Sequence, residues 1–287
     1  MLGILLFPGA VKLTPSGPYC KAPTAPAAPP TGLVTRSLDV ARFFRDRIRT
    51  AVKPEIIVGD RERLSEALGQ RVETATAQAL ADRRRFAIAL PGGSVATSFF
   101  PRLANSALDW SRVDFFWGDE RAVPEDDPES NYGAARKLWL EPAGVPASCV
   151  HRMPADSADL PQAALAHAAE LERLLGSPPS LDVALLGMGP DGHVCSLFPG
   201  HPLLRDESRW VAPVLDSPKP PPRRLTLTLP VLAAARLVVV AAMGEPKAEP
   251  IRQAVLDPAS ELPVALALRR APRSLLLLDA AAGRGLA

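Results

Sequence analysis

The stretch that decides how this chain folds is Leu181-Asp182-Val183-Ala184-Leu185-Leu186-Gly187-Met188-Gly189-Pro190-Asp191-Gly192-His193-Val194-Cys195-Ser196-Leu197-Phe198-Pro199-Gly200. Its first half is a short apolar run, typical of a strand that is buried on both faces. Glycines and Pro190 end that strand, and Asp191 and His193 follow directly. In open α/β sheets, ligands bind beyond the carboxyl ends of the strands. The stretch therefore predicts an acid and an imidazole beside a ligand site.

Three glycines of this stretch spell the GxGxxG pattern of dinucleotide-binding proteins. That pattern requires a helix that begins at the third glycine, where backbone N–H groups bind a pyrophosphate. Pro199 and Pro202 leave little room for such a helix, although Asp216 stands where a ribose-binding acid is possible. Asp191 and His193 therefore need another explanation than dinucleotide binding. The simplest explanation is a turn in which Asp191 caps backbone groups and His193 has no function.

The composition is that of a globular chain with a sizeable core: 47% of the 287 residues are hydrophobic, and the net charge is +2. This balance gives no reason to expect nucleic acid or an anionic membrane as a partner. The three cysteines form neither a disulfide framework nor a zinc spacing, which favours a reducing, cytoplasmic location. His193, Cys195 and His201 lack a fourth metal ligand, so we expect no metal. No apolar run approaches the roughly 20 residues that span a bilayer.

The N-terminal part of the chain differs from the rest. Pro15–Pro30 is rich in Pro and Ala, a composition that does not support regular structure, and Leu38–Thr50 is compatible with a short basic helix. A disordered extension, an over-long translation start and an organelle transit peptide all fit this composition. We expect an extension over residues 1–53, disordered in part, before a folded domain over residues 54–287.

Within that domain, short apolar segments alternate with helical patterns. This alternation predicts a doubly wound, mostly parallel, Rossmann-like α/β sheet in a single domain. The predicted strands are Glu55–Val58, Phe86–Leu90, Val113–Trp117, the first half of the 181–200 stretch, Arg223–Leu229, Leu237–Ala242 and Ser274–Leu278. The predicted helices are Arg61–Arg84, Val95–Leu103, Asn131–Leu140 and Pro161–Leu175.

A phosphate cradle is indicated by Gly92, Gly93 and Ser94, which lie between a predicted strand and a predicted helix. Glycines let the backbone approach an anion, and a helix N-terminus adds a partial positive charge. The same three residues are also compatible with a plain tight turn between strand and helix.

Other polar residues also follow predicted strands, namely the Asp119–Arg121 cluster and Lys247. Because the carboxyl ends of parallel strands meet at one edge of a sheet, we expect these residues to converge with Asp191 and His193. Arg224 opens its strand instead. It reaches this edge only if that strand runs antiparallel or its loop folds over.

The chemistry of these residues suits a sugar phosphate. Basic side chains (Arg121, Arg224, Lys247) and a Gly-Gly-Ser turn favour a phosphorylated small molecule. An Asp–His pair suits proton transfer near neutral pH, because an unperturbed imidazole titrates at about 6.5. No GxSxG nucleophile elbow is present, so we expect water as the nucleophile and His193 as the base that activates it.

These clusters, in this order, resemble the 6-phosphogluconolactonase family of the pentose phosphate pathway, from residue 54 to about residue 280. The motifs that match are Leu186–Gly200, Trp117-Gly118-Asp119-Glu120-Arg121, Ser130-Asn131-Tyr132 and Pro220–Pro230. The resemblance implies a Rossmann-like sheet shared with glucosamine-6-phosphate deaminases, no metal and no cofactor. It also implies hydrolysis of 6-phospho-D-glucono-1,5-lactone to 6-phosphogluconate.

Roles for individual residues follow from the same resemblance. His193 is implied as the general base, with Asp191 orienting it or sharing its proton. The implied substrate-binding residues are Gly92, Gly93, Ser94, Asp119, Glu120, Arg121, Arg224 and Lys247. The resemblance leaves open whether Asp191 or Glu120 is the closer partner of His193, and which group supplies the oxyanion donor.

The chain departs from the family pattern at its phosphate loop. Pro91 stands where Ser is usual, and Val95 and Ala96 stand where Thr and Pro are common. Pro91 removes one N–H donor and one hydroxyl, so we expect weaker substrate affinity. The segment Leu275–Leu278 lacks the aromatic residues often found there, which bears on packing.

Two other functions remain open. A glucosamine-6-phosphate deaminase has, by family resemblance, a glutamate five residues after the motif histidine, where this chain has Phe198. A catalytically silent sugar-phosphate sensor does not need an intact Asp191 and His193. We therefore favour the hydrolase, acting on a small sugar phosphate as a monomer or small homo-oligomer.

Overall fold

The computed structural model of this chain describes residues 53–82 and 84–286. The predictions for the N-terminal extension, including the basic helix Leu38–Thr50, lie outside the described residues, which begin at Lys53. The strands are β1 (Glu55–Val58), β2 (Phe86–Leu90), β3 (Val113–Trp117), β4 (Asp119–Arg121), β5 (Val183–Gly187), β6 (Val211–Val214), β7 (Arg224–Leu227), β8 (Leu237–Ala242) and β9 (Ser274–Leu278). The helices are α1 (Arg61–Ala81), α2 (Gly93–Ala104), α3 (Asn131–Ala135, continued by a π-helical turn over Arg136–Leu140), α4 (Leu160–Leu175), α5 (Leu229–Ala234), α6 (Ala248–Leu256) and α7 (Pro263–Arg270).

Six strands form one parallel sheet in the order β1-β9-β8-β5-β2-β3. From β2 the chain moves outward to β3, whereas from β5 it moves the opposite way, through β8 to β9. The strand order therefore reverses between β2 and β5, and the crevice beyond their carboxyl ends is where such sheets bind ligands. This architecture confirms the predicted doubly wound, mostly parallel α/β fold.

Strands β1, β2, β3, β8 and β9 have the predicted bounds. Every residue of β2, β3 and β9 is buried, which is why these strands are mostly apolar, with Asp114 in β3 and Ser274 at the start of β9 as the polar members. The predicted helix ending at Arg84 stops at Ala81, and the predicted strand ending at Leu229 is shorter because Leu229 begins α5. Two short helices, α5 and α7, were not predicted; each carries its proline in the tolerated first turn.

A second, antiparallel sheet of three strands, β4-β7-β6, adjoins the parallel one. Gly118 joins the two sheets: its N–H donates to Leu90 O at 2.9 Å, and its carbonyl accepts from Leu227 N at 2.8 Å. Strand β7 runs antiparallel to β4 and pairs Arg224 with Arg121. Arg224 was expected to reach the ligand-binding edge only if its strand runs antiparallel or its loop folds over, and β7 is antiparallel.

An aromatic cluster fixes α2 behind the crevice. Trp139, which is fully buried in the π-helical turn, has its ring centroid 5.2 Å from Phe100 of α2 and 5.3 Å from both Phe115 and Trp110. Such tilted and edge-to-face pairs contribute about 0.5–1.5 kcal/mol each beyond area burial. The N-terminus of α2 is thereby held at the mouth of the crevice.

Candidate active site

A cleft of about 260 Å³ opens where the strand order reverses. The predicted site residues that line it are Gly92, Gly93, Ser94, Asp119, Arg121, His193, Arg224 and Lys247. They come from the loops after β2, β5 and β8 and from the antiparallel sheet, so the fold brings together clusters that are far apart in sequence. Asp191 and Glu120 do not belong to the lining.

Asp191 and His193 form a hydrogen-bonded pair in the turn after β5. His193 Nδ1 lies 2.6 Å from Asp191 Oδ1. Gly189 has no room for a side chain, because an added Cβ would lie 2.0 Å from His193 Nδ1, and Gly192 has a left-handed φ of +80°. The glycines of the GxGxxG pattern thus build the turn that positions His193. No helix begins at Gly192, so the dinucleotide interpretation lacks the element it requires.

Lys219, which the sequence reasoning missed, completes this pair. Its Nζ lies 3.1 Å from Asp191 Oδ1 and 3.3 Å from His193 Nδ1. The local signal is a lysine directly before the Pro220–Pro230 segment, the motif whose family match does not include Lys219. Nothing local relates that lysine to a histidine 26 residues earlier.

Burial and nearby charges set the protonation state of the pair. Burial lowers the pKa of His193, Asp191 opposes this effect, and the Lys219 charge lowers the pKa further, so the net shift is downward. For Asp191, burial acts to raise the pKa, but the contacts with His193 and Lys219 outweigh it and the pKa is lowered. The ionised Asp191 therefore accepts the Nδ1 proton. Nε2 is left as the basic nitrogen near neutral pH, as a general base requires.

The Gly92–Ser94 turn forms the N-terminus of α2. Gly92 is the N-cap, and no described side chain caps the helix there, so its first N–H groups face the cleft without a side-chain acceptor. An added Cβ on Gly92 would lie 1.7 Å from Asn131 Oδ1, and Gly93 has φ of +62°. Pro91 also lines the cleft, as a residue without an N–H. The turn therefore requires glycine at both positions: a side chain on residue 92 would collide with Asn131, and residue 93 has a left-handed backbone conformation.

Two cations lie beside this turn. Lys247 Nζ donates to Met188 O at 2.7 Å, and burial, followed by the charge of Lys219, lowers the pKa of Lys247. Arg121 Nη1 donates to Glu129 O at 2.7 Å, while its Nε is buried without a hydrogen-bond partner among the described residues. Cations with unused donors next to a helix N-terminus suit a phosphate group.

Asp119 and Arg224 lie at the wall of the cleft, where their polar atoms contact other side chains of the protein. Asp119 Oδ2 accepts from Ser196 Oγ at 2.6 Å, and Asp119 Oδ1 accepts from Asn131 Nδ2 at 3.2 Å. Arg224 Nη1 lies 3.8 Å from Asp119 Oδ2. Both residues are more than nine-tenths buried. Their polar atoms are thus engaged before any ligand arrives.

Glu120 lies outside the cleft. Its carboxylate accepts from the backbone N–H groups of Arg121, Asn131 and Tyr132 at 2.7–2.9 Å. Burial raises the pKa of Glu120 against the effect of these bonds. The carboxylate therefore holds the start of α3, and it is Asp191 that lies against His193. Glu120 is the one implied substrate-binding residue that the structure does not bring to the lining of the cleft.

The residues considered as metal ligands do not gather at one point. His201 does not line the cleft, and its Nε2 lies 3.3 Å from Asp216 Oδ1. Burial, with the charge of Asp119, raises the pKa of the Cys195 thiol. Among residues 53–82 and 84–286, no three His, Cys, Asp or Glu side chains are placed to hold a metal ion. In the same described part of the chain, no helix is long and apolar enough to cross a membrane.

Comparison with known proteins assigns the family. A family model described as "Glucosamine-6-phosphate isomerases/6-phosphogluconolactonase" matches residues 59–276. The chain is 43% identical over 245 residues to a 6-phosphogluconolactonase of Streptomyces coelicolor, over 80% of this chain and 93% of that one. It is 42% identical over 234 residues to one of Mycobacterium bovis, over 78% and 94% of the two chains.

The solved structure of a 6-phosphogluconolactonase from Trypanosoma brucei has a TM-score of 0.73 and 30% identity, covering 82% of this chain and 99% of that one. Fold, motifs and relatives agree. The chain belongs to the glucosamine-6-phosphate isomerase/6-phosphogluconolactonase family, as its motifs predicted.

Proposed function

We propose that this chain hydrolyses 6-phospho-D-glucono-1,5-lactone to 6-phospho-D-gluconate, with His193 activating water. The observation that carries the proposal is the Asp191–His193 pair, whose imidazole lines the same cleft as the Gly92–Ser94 turn. The relatives with 42–43% identity bear the name of this lactonase. A sugar phosphate is thus the substrate class of the site.

The mechanism uses one imidazole in two steps. Nε2 of His193 takes a proton from water as the water oxygen attacks the lactone carbonyl carbon. The tetrahedral intermediate then breaks the bond between that carbon and the ring oxygen, and the imidazolium returns its proton to the ring oxygen. Asp191 keeps Nδ1 protonated and stabilises the imidazolium between the two steps. The product acid ionises, and His193 is neutral again.

The phosphate group binds, in this proposal, at the N-terminus of α2. Main-chain N–H groups of the Gly92–Ser94 turn, the Arg121 guanidinium and the Lys247 ammonium are the donors. Pro91 contributes neither an N–H nor a hydroxyl, so the cradle has fewer donors than the family pattern.

The deciding experiment generates the lactone in situ and follows its disappearance with and without the protein. The lactone also hydrolyses spontaneously, so the signal is acceleration above that background. His193→Ala is expected to lower kcat by about 10²- to 10⁴-fold, the usual contribution of a general base. Binding of 6-phosphogluconate is expected to stay within about twofold. Undiminished acceleration by this variant contradicts the assigned role.

Ammonia release from glucosamine 6-phosphate separates this proposal from the deaminase. The ring centroid of Phe198 lies 4.8 Å from that of His193, and this apolar ring occupies the position of the glutamate that the deaminase pattern requires. We expect no ammonia. Release of ammonia without lactone hydrolysis favours the deaminase, and sugar-phosphate binding without either reaction favours a sensor.

The cradle is tested separately by Gly92→Ala. The added methyl group would collide with Asn131 and displace the turn, so KM is expected to rise by tenfold or more, about 1.4 kcal/mol of binding. Gly69→Ala is the matched control, since nothing lies within 4 Å of an added Cβ there. Equal KM values for the two variants contradict the proposed phosphate position.

A cytoplasmic location and a monomer or small homo-oligomer, without nucleic-acid or membrane partners, stay predictions from the sequence. Size-exclusion chromatography with light scattering determines the oligomeric state directly.

A further inference from the structure

Arg224 lines the cleft, yet its guanidinium is occupied by the protein's own main chain. Nε and Nη2 donate to three consecutive carbonyl groups, those of residues 219–221, at 2.9–3.1 Å. Nη1 faces Ser196 Oγ at 3.4 Å. The side chain is only 5% exposed. Few donors are left for a substrate.

Those three carbonyl groups belong to the loop that carries Lys219. The same loop is closed by Ser217, whose hydroxyl donates to Lys219 O at 2.8 Å and accepts from Lys219 N at 3.2 Å. The Lys219 side chain is long and 37% exposed. A side chain of this kind keeps one position only at an entropic cost. A fixed main chain reduces that cost, because it holds the base of the side chain in place.

The other end of Arg224 is tied to the loop that carries His193. Ser196 lies three residues after His193 and is fully buried. Its hydroxyl donates to Asp119 Oδ2 at 2.6 Å, and its N–H donates to Thr226 Oγ1 at 3.2 Å. The guanidinium thus hydrogen-bonds both to the loop that carries Lys219 and to Ser196, in the loop that carries His193.

We infer that Arg224 is a positioning residue: by holding the carbonyl groups of residues 219–221, it keeps the Lys219 ammonium against the Asp191–His193 pair. This inference rests on the proposed role of His193 as the base. It assigns Arg224 a different task from the substrate contact that the family resemblance implied.

The ammonium matters because it opposes protonation of the base. The charges that act on the pKa of His193 include those of Asp191 and Asp119, which raise it, and that of Lys219, which lowers it. A cation close to an imidazole favours its neutral form. Lys219 therefore keeps the base unprotonated at lower pH than Asp191 alone allows.

The experiment measures kcat/KM for the lactone between pH 5 and 7.5, where the acid limb reports protonation of the base in the free enzyme. Lys219→Met is expected to move this limb upward by about one pH unit, because the opposing charge is gone. Arg224→Lys keeps the positive charge, but an ammonium does not reproduce the planar fork that binds three carbonyl groups. It is expected to move the limb in the same direction.

Two comparisons make the result specific. The double variant Lys219→Met/Arg224→Lys is expected to shift the limb no further than Lys219→Met alone, because both changes remove one effect. Arg223→Lys is the matched control: Arg223 is the neighbouring residue and is exposed, and the one side-chain hydrogen bond given for it among the described residues goes to Ala158 O, at 3.4 Å. Its acid limb is expected to match the wild type.

A raised KM with an unmoved acid limb in Arg224→Lys overturns the inference and makes Arg224 a substrate ligand. Additive shifts in the double variant overturn it as well. If Arg224→Lys does not fold, Lys219→Met tests the inference alone. An acid limb that does not move in Lys219→Met shows that the Lys219 charge has no effect on His193, and the inference then fails. Failure of the proposed function is distinguishable, since then either the wild-type protein does not accelerate hydrolysis or His193→Ala retains the acceleration, whatever Lys219 and Arg224 do.

Discussion

Two of the histidines that lie against carboxylates, His193 and His151, have pKa values that their environments shift in opposite directions. His193 has one carboxylate, Asp191, and the Lys219 ammonium beside it. His151 lies between two carboxylates: its Nδ1 is 3.0 Å from Glu170 Oε1, and its Nε2 is 3.3 Å from Asp114 Oδ1. The pKa of His193 is lowered, whereas that of His151 is raised.

The difference comes from the charges that face each ring. Burial acts to lower the pKa of both imidazoles. At His151, Asp114 and Glu170 outweigh burial and favour the imidazolium. The nearby Arg85 is engaged in a bidentate contact with Asp114, at 2.7 and 2.9 Å. At His193 a single carboxylate is offset by an ammonium. A carboxylate beside a histidine therefore does not by itself identify that histidine as a general base.

Position in the fold separates the two sites further. His193 lines the cleft at the carboxyl ends of β2 and β5. His151 is not part of that lining and stacks on Phe116 of β3, with ring centroids 4.8 Å apart. We therefore expect the His193 site to determine catalysis and the His151 site to determine stability.

The largest expected effect is that of Asp191→Asn. The amide no longer stabilises the imidazolium or selects the Nδ1–H tautomer, so kcat is expected to fall by about 10²- to 10⁴-fold. The matched control is Asp114→Asn, the same change beside the other histidine. It is expected to lower the melting temperature while kcat of the folded enzyme stays within about twofold. Comparable losses of kcat in both variants contradict the separation of the two sites.

A smaller effect is expected from His151→Gln, measured by urea unfolding at pH 6. The variant removes a charged partner from two carboxylates, of which Asp114 is nine-tenths buried. Breaking such a pair leaves a buried charge uncompensated, and the expected loss is about 1–3 kcal/mol. The loss is expected to shrink as pH rises, because the contribution of a group with a raised pKa is present below about 6.5 and lost through its folded-state pKa. A loss that grows with pH contradicts the charged state of His151.

The smallest expected effect is the contribution of Glu170 to the free energy of unfolding, which depends on pH in the acid range. His167, whose Nδ1 lies 3.3 Å from Oε2, and then His151 lower the pKa of Glu170 to about 2. A carboxyl group with a lowered pKa stabilises the fold above its unfolded pKa, about 4.3, and this contribution is lost as pH falls towards 2. Glu170→Gln is expected to cost on the order of 1 kcal/mol or less at pH 5, since the side chain is 34% exposed.

The difference in unfolding free energy between wild type and Glu170→Gln is expected to disappear between pH 4.5 and pH 2. Glu141→Gln serves as the control, because Glu141 is 65% exposed and its ion pair in the described part of the chain is with Arg136. An acid dependence that both variants share equally contradicts the role of Glu170.

Much of the fold was predictable because its signals are local. Buried strands such as Phe86–Leu90 are continuous apolar runs, and glycine turns with charged residues follow them. Helices α5 and α7 were missed because they are short, begin with proline and are held by tertiary packing more than by intrinsic propensity. Glu120 was expected near the substrate because its motif lies at a strand end, but helix α3 takes its carboxylate.

The sequence by itself determined the buried strands, the glycine turns and the Asp191–His193 pair, because each depends on residues a few positions apart. Only the tertiary structure decided which charges surround that pair. Lys219 reaches His193 across 26 residues, and Ser196 reaches Asp119 across 77. These contacts depend on the antiparallel sheet that returns β7 to β4. Long-range charge contacts leave no local pattern in the sequence, yet they set the protonation state on which the proposed chemistry depends.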